Sequence, residues 1–239
     1  MVLKAEEEID LQFFSCFASE PLHKGSLKMK FGAIIGLPGT FAYNDISDVK
    51  KDELLLDQHS VDWNSERGEA LLKAIVLSDR AKGFAIAREI NYARSYHLHV
   101  ETFLRSLFCV LAYSCGSIMN RLLKFNQRLR PWARFSTYSF IGAFWFLLYV
   151  VSADTYHCFR DNSADRKAAA LNRLYAEGGV EYYTKLLARN QAIRTMMGSE
   201  GPKKYTAYGN VVSTWRRDHV QLTTRRDNVQ SSLQKFENS

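Results

Sequence analysis

The feature that most constrains the fold of this chain is a run of 19 consecutive residues without a charge, from Phe135 to Ala153. The run is rich in Phe, Leu, Val and Trp. As a helix it would be about 28 Å long at a rise of 1.5 Å per residue, which is close to the thickness of the hydrocarbon core of a bilayer. It therefore predicts a transmembrane helix over residues 135–153.

A second apolar run precedes the first and holds no charged residue from Ser106 to Asn120. Its 15 residues would form a shorter helix, of about 22 Å, a length that also suits a buried helix of a soluble protein. Gly116 is a small residue of the kind that lets membrane helices approach each other closely. We interpret residues 101–120 and 135–153 as a transmembrane hairpin, with a soluble pair of buried helices as the alternative.

The loop between the two predicted spans, residues 121–134, contains five basic residues and no acid. The basic residues are Arg121, Lys124, Arg128, Arg130 and Arg134. Short loops of this kind stay on the side of the membrane where the chain is made, so we expect the loop to face the cytoplasm or the mitochondrial matrix. The whole chain has a net charge of +7. Because the basic residues adjoin apolar spans, we attribute this charge to membrane orientation or anionic lipid rather than to nucleic-acid binding.

The N-terminal region, residues 1–100, combines signals for short strands and helices. Its first ten residues contain four acids, so we expect no cleavable targeting signal there. Alternating apolar residues predict a strand that begins at Leu27 and breaks at the Gly-Leu-Pro-Gly segment 36–39. A second strand is predicted over 54–63, followed by a helix that Asn64 or Ser65 caps. Ser78 is a further N-cap candidate, and the segment 80–101 can continue into the first span.

The C-terminal region, residues 154–239, is predicted to be mainly helical with a long tail. A helix over 164–177 is expected to stop at the pair Gly178 and Gly179, and a second helix to run from about Val180 to Met197. Residues 202–239 are expected to form loop and one short strand. The predicted fold class is thus a mainly α membrane protein, a two-helix transmembrane hairpin with a small α+β N-terminal region and a helical C-terminal region.

The sequence offers little that suggests chemistry. Its four cysteines are too widely spaced for a disulfide framework or a paired zinc motif. His97 and His99 are two residues apart, which on a helix directs the two rings to different faces. His157 and Cys158 follow the second span and keep open an alternative function, a membrane-anchored redox or copper-handling protein. We find no nucleophile, zinc-protease or phosphate-loop motif, and predict a protein that is not an enzyme and has no catalytic, cofactor-binding or metal-ligating residues.

Six short segments spread over most of residues 27–229 carry a family resemblance. They are GAIIGLPGTF at 32–41, VDW at 61–63, FAIARE at 84–89, GGVEYYTKLL at 178–187, YTAYGN at 205–210 and TTRRD at 223–227. In this order and spacing they resemble the transmembrane protein 177 family of the mitochondrial inner membrane. The matching motif residues are family landmarks without assigned chemistry, which we expect to serve mainly backbone conformation or helix capping. They are Gly36, Pro38, Arg88, Glu89, Gly178, Gly179, Arg225, Arg226 and Asp227.

The resemblance implies a non-enzymatic factor of the mitochondrial inner membrane. Such a factor would associate with newly made cytochrome c oxidase subunit 2 and with the assembly chaperone of that subunit, and would stabilise both. In that membrane the basic loop 121–134 is expected to face the matrix, and the regions on either side of the hairpin are expected to face the intermembrane space.

Overall fold

The computed structural model describes residues 10–51, 63, 65–213, 216 and 219–238. A small sheet is followed by helices that make up most of the described chain, and the predicted fold class is confirmed. The strands are β1 (Leu11–Cys16), β2 (Leu22–Gly25) and β3 (Ala33–Pro38). The helices are α1 (Glu66–Ile75), α2 (Asp79–Ala93), α3 (His97–Leu123), α4 (Phe125–Arg128), α5 (Pro131–Ala169), α6 (Arg173–Met196), α7 (Gly201–Lys204) and α8 (Leu222–Glu237).

Strand β3 lies at the centre of the sheet, parallel to β1 and antiparallel to β2. One face of the sheet packs on α2, where Leu11 and Ile35 contact Ile90 and Ala93. Alternate residues of a strand point to the same face, so Ala33, Ile35 and Leu37 of β3 all face this cluster. The sheet is thereby fixed against the helix that leads to the first long apolar helix.

The predicted boundaries of the central strand are wrong. Residues 26–32 form a turn, in which the amide of Ser26 donates to the carbonyl of Gly32 over 3.0 Å and Gly32 has a φ of 66°, a conformation that glycine adopts without strain. The strand also continues through Gly36. A Cβ at this position would lie 2.8 Å from the Phe14 ring. Glycine at this position allows close packing and does not end the strand. The predicted strand over 54–63 falls outside the described residues, apart from Trp63.

Two predicted helix caps are confirmed. The Ser65 hydroxyl accepts from the amide of Gly68 over 3.1 Å, and the Ser78 hydroxyl from that of Ala81 over 3.2 Å. The expected continuation from α2 into the first span is wrong, since the chain turns at 94–96. The buried hydroxyl of Ser26 lies 3.1 Å from the carbonyl oxygen of Ala93 and 2.9 Å from that of Ser95. A tertiary contact therefore provides a hydrogen-bond donor for the carbonyls at the end of α2.

The long helices α3 and α5 pack side by side as a hairpin. The Phe108 ring lies 6.1 Å from Trp145 and 6.0 Å from Tyr149, and Gly116 faces Tyr138. Only 6% and 11% of the most apolar stretches of the two helices are buried within the chain. Such exposure is inconsistent with a soluble pair of buried helices, and it fits two spans surrounded by lipid.

Helix α6 runs through Gly178 and Gly179, so the predicted break at these residues is wrong. A Cβ at Gly178 would lie 2.3 Å from the carbonyl oxygen of Arg80, which means that the glycine allows α6 to touch the backbone of α2. The break between helices instead lies at 170–172, where the side chain of Asn172 accepts from the amide of Tyr175 over 3.0 Å.

The expectation of a loop over the tail 202–239 is also wrong, because residues 222–237 form helix α8. Its buried residues Leu222 and Val229 pack into the same core as Phe84 and Leu186. The helix has only four apolar residues, Leu222, Val229, Leu233 and Phe236, and the residues between them are polar. Tertiary packing, rather than a strong local pattern, therefore determines that this segment is helical.

We expect Gly178→Ala to lower the free energy of unfolding by about 1–3 kcal/mol, because the added methyl overlaps the backbone of α2. Gly83→Ala is the matched control, since a Cβ there meets only Tyr175 at an ordinary 3.8 Å and alanine favours the helix by about 0.5–1 kcal/mol. Denaturant unfolding of both variants in detergent, followed by circular dichroism, measures the difference. Equal stability of the two variants would contradict the assigned role of Gly178.

Candidate functional site

Most of the buried charged residues outside the apolar spans form one connected cluster, which we call the polar network. It joins four helices and strand β2. Its members are His23, Arg88, Glu89, Tyr92, Asp161, Asp165, Tyr183 and Arg225. Burying this many ionisable groups costs free energy unless they form ion pairs and hydrogen bonds with one another.

One half of the network is centred on Arg225 of α8, which is 6% exposed. Its guanidinium donates to both carboxylate oxygens of Asp165 on α5, at 2.6 and 2.8 Å, and to the hydroxyl of Tyr92 on α2 at 3.3 Å. A second carboxylate, Asp161, lies 3.7 Å away. The bidentate geometry fits the fixed fork of arginine, and this residue therefore ties α8 to both α5 and α2.

The other half is centred on Arg88 and Glu89 of α2. Two nitrogens of Arg88 donate to one oxygen of Glu89 at 2.7 and 2.9 Å, and the imidazole of His23 lies 2.7 Å from the other oxygen. Burial alone raises the pKa of Glu89, but the charge of Arg88 and the hydrogen bond from His23 outweigh it and hold that pKa below its ordinary value. Glu89 is therefore ionised and ties β2 to α2.

Tyr183 of α6 connects the two halves. Its hydroxyl accepts from Arg88 at 3.3 Å and donates to Asp165 at 2.6 Å. Burial raises the pKa of this phenol well above its ordinary value, so it stays neutral and can do both. The guanidinium carbon of Arg225 also lies 5.1 Å from the centre of the Tyr183 ring. This cation–π contact further stabilises the packing of α8 on α6.

Asp161 connects the network to the segment before α8. Its carboxylate accepts from the Tyr92 hydroxyl, from the ring of His219 at 3.1 Å and from the amide of Val220 at 3.3 Å. Burial alone raises the pKa of Asp161, but the hydrogen bonds from His219 and Tyr92 and the charge of Arg225 hold it well below the ordinary range. The ionised carboxylate thus fixes the path of the chain into α8.

Helical spacing explains why these side chains meet. On α5 the two aspartates are four residues apart, as are Arg88 and Tyr92 on α2, and residues with this spacing share one face of a helix. The flanking positions Ala164, Ala168 and Ala169 are buried and small, which lets the other helices come close to α5. The local sequence therefore presents two acids to Tyr92 of α2 and Arg225 of α8.

The arrangement is suited to holding elements together rather than to catalysis. The carboxylates of the network each accept from at least two donors, so no member is left as an unpaired base or nucleophile. Within the part of the chain that the structure describes, no group of three or more His, Cys, Asp or Glu side chains could hold a metal ion. The four cysteines are all free thiols.

The family landmarks fall into distinct environments. Arg88, Glu89 and Arg225 meet in the polar network, whereas Arg226 and Asp227 form an exposed ion pair of 2.9 Å. Gly178 and Gly179 lie where α6 contacts α2. Gly36 and Pro38 lie in the central strand β3. The structure thus brings three of the nine landmark residues into one site and distributes the rest over packing contacts and the surface.

Sequence reasoning missed five network members: His23, Tyr92, Asp161, Asp165 and Tyr183. The two aspartates could have been recognised from the sequence, because they are four residues apart, the spacing of one helix face, and are followed by several alanines. The histidine pairs that were considered do not form a site. His97 is buried 5.5 Å from the His23 ring, whereas the His99 ring contacts Tyr96.

A separate cavity of about 330 Å³ lies beside the core between α1 and α6. Its lining is mainly apolar and includes Phe41, Leu71 and Ile193, with Arg189 and Tyr182 as polar members. Arg189 is engaged, because it donates to the carbonyl of Ser19 at 2.6 Å. The volume is at the lower end for ligand pockets, and the cavity is distinct from the polar network.

Comparison with known proteins identifies the family. The sequence profile of the family described as Transmembrane protein 177 matches residues 15–235. The chain belongs to this family. It is 33% identical to Transmembrane protein 177 of Homo sapiens over 221 residues, which cover 90% of the chain and 70% of the human protein. It is 30% identical to that of Xenopus laevis over 231 residues, which cover 94% and 73%. No solved structure matches the chain.

We expect the Arg225–Asp165 pair to be the most sensitive point of the polar network. Arg225→Met or Asp165→Leu alone should lower the free energy of unfolding by about 3–5 kcal/mol, because each leaves a buried charge without its partner. The free energy of unfolding of the double variant should fall by much less than the sum of the two single losses. Denaturant unfolding of the three variants in detergent measures this coupling.

The control for this experiment is Arg226→Met, which removes the neighbouring arginine from an exposed pair. This variant should lower the free energy of unfolding by no more than about 1 kcal/mol. If the losses of the two network variants simply add, or if Arg226→Met costs as much as Arg225→Met, the pair does not hold the helices together.

Proposed function

We propose that this chain is a non-enzymatic assembly factor of the mitochondrial inner membrane. It associates there with newly made cytochrome c oxidase subunit 2 and with the assembly chaperone of that subunit, and it stabilises both. The observation that carries the proposal is membership of the Transmembrane protein 177 family combined with an apolar hairpin that the rest of the chain leaves uncovered. Within the described residues, no metal-ligand group favours the redox or copper-handling alternative.

The polar network supports a scaffolding role. Its ionised groups are paired with one another across helices that lie before and after the hairpin in sequence. An enzyme would need a reactive group that faces a substrate cavity, whereas these groups fix the shape of a domain. A domain with a fixed shape, held next to a membrane hairpin, is suited to keeping a partner in place while that partner is assembled.

One face of α5 offers a contact for a membrane-embedded partner. Phe140, Phe144, Leu147 and Val151 are 75%, 51%, 55% and 63% exposed, and their spacing of four, three and four residues places them on one side of the helix. Apolar area alone does not drive association in lipid, so the shape of this stripe would decide which helix packs there.

We expect Phe140→Leu/Phe144→Leu to reduce association with newly made subunit 2 several-fold, since the span stays apolar but the shape of the stripe changes. The control is Phe135→Leu/Phe146→Leu, which makes the same two changes on the opposite side of α5. Affinity purification after pulse-labelling of mitochondrial translation products measures the association. Wild-type recovery with both variants, or equal loss with both, would contradict a role for this stripe.

We also expect the basic loop 121–134 to face the matrix. Moving each positive charge outward against the membrane potential costs about 2.3 kcal/mol per 100 mV, so the loop is biased strongly to the inner side. The regions before and after the hairpin pack on each other through Arg225 and Tyr92, which requires them to share one side of the membrane.

Protease added to mitoplasts with a sealed inner membrane tests this orientation. It should digest an epitope placed after residue 239 and spare one inserted in the loop. Survival of the C-terminal epitope until detergent is added would show that the orientation is the reverse of the one proposed.

A further inference from the structure

We propose that the turn of the hairpin, residues 121–134, is a binding site for the headgroup phosphate of an anionic phospholipid. This segment, which we call the basic turn, joins the C-terminal end of α3 to the N-terminal end of α5. The proposal concerns a ligand of the membrane itself and does not depend on the partner proteins discussed above.

The basic turn is an ordered piece of structure. Within it, Phe125 is only 8% exposed, and its ring packs 6.4 Å from that of Tyr138 on α5. The short helix α4 is closed by hydrogen bonds of 3.0 Å from the amide of Arg128 to the carbonyl of Lys124 and from that of Leu129 to Phe125. The side chains that α4 carries are therefore held at the end of the hairpin by an apolar anchor.

Four cations project from this ordered turn. Arg121, Lys124, Arg128 and Arg130 are all exposed, and none of them forms an ion pair with an acid in the described part of the chain. The sequence itself explains this, because it contains no acid anywhere between Glu101 and Asp154. Lys124 and Arg128 lie at the two ends of the short helix α4. The charge of the turn is thus available to an external anion.

The start of α5 adds donors of another kind. Arg130 is the N-cap residue, its side chain makes no capping hydrogen bond, and Pro131 occupies the first turn. The first amides of a helix lack partners within the helix, and a helix N-terminus favours a phosphate through these amides and through the helix dipole. The turn therefore combines unpaired cations with a helix N-terminus that is itself suited to phosphate.

The surroundings select a lipid rather than free phosphate. The turn connects two spans, so it lies at the level of the headgroups, and basic clusters at that level between membrane helices bind anionic lipids. Trp132, near the end of the turn, is 68% exposed, and an aromatic ring at this level favours the interface and can contact the upper acyl chain. A ligand that carries both a phosphate and acyl chains would contact both parts of this surface.

The test uses the full chain in nanodiscs of phosphatidylcholine mixed with phosphatidylglycerol, with native mass spectrometry of the lipids that stay bound. We expect the wild-type chain to retain phosphatidylglycerol in preference to phosphatidylcholine. The variant Lys124→Gln/Arg128→Gln/Arg130→Gln should lose this preference, by about five-fold in affinity for each removed charge. The control Lys24→Gln/Arg166→Gln/Lys167→Gln removes the same charge from exposed sites away from the turn and should retain the preference.

Three results would overturn the proposal: an unchanged lipid preference in the variant of the turn, an equal loss in the control, or complete displacement of phosphatidylglycerol by added inorganic phosphate. The last result would assign the site to free phosphate. The chain is already inserted when the lipids are measured, so a role of these cations in membrane orientation alone predicts no difference between the two variants.

Discussion

The buried pair of Arg225 and Asp165 is the interaction on which the rest of the structure depends. It joins the last helix, α8, to α5, and the Tyr183 hydroxyl extends it to Arg88 and so to α2. A buried ion pair adds little net stability compared with a well-packed apolar alternative, but the loss of one partner is severe. Such a pair therefore favours one arrangement of helices over others, which an alanine-rich contact surface on α5 would not do by itself.

Helix α5 carries this constraint into the membrane. It contains 39 residues without interruption, about 58 Å at 1.5 Å per residue, so its first half lies within the predicted span and its second half carries Asp161 and Asp165. A continuous helix transmits orientation between its two ends. The position of the domain outside the bilayer is therefore linked to the rotation of the hairpin, and hence to the face that the hairpin presents to other membrane helices.

Features that depend on local sequence were predicted correctly, whereas features that depend on tertiary contacts were missed. The two charge-free runs and the serine caps at 65 and 78 were sufficient to predict the hairpin and two helix starts, because solvation by lipid and capping are local effects. Gly178 and Gly179 look like a helix stop, yet they serve contact with α2, which only the assembled fold requires. The segment of α8 is mostly polar and contains few apolar residues. The network likewise joins residues more than one hundred positions apart, a proximity that no local pattern encodes.

The placement of the family landmarks bears on where the proposed partners could contact the chain. Arg88, Glu89 and Arg225 are buried and paired, and the glycines of α6 are covered by α2, so these residues cannot contact another protein without local unfolding. They determine the shape and position of the domain. Specific contacts must then come from surfaces that the fold leaves open, and one of these is the apolar hairpin with its basic turn. Apart from the exposed pair of Arg226 and Asp227, the landmark residues are therefore distinct from the surface that we propose for partner binding.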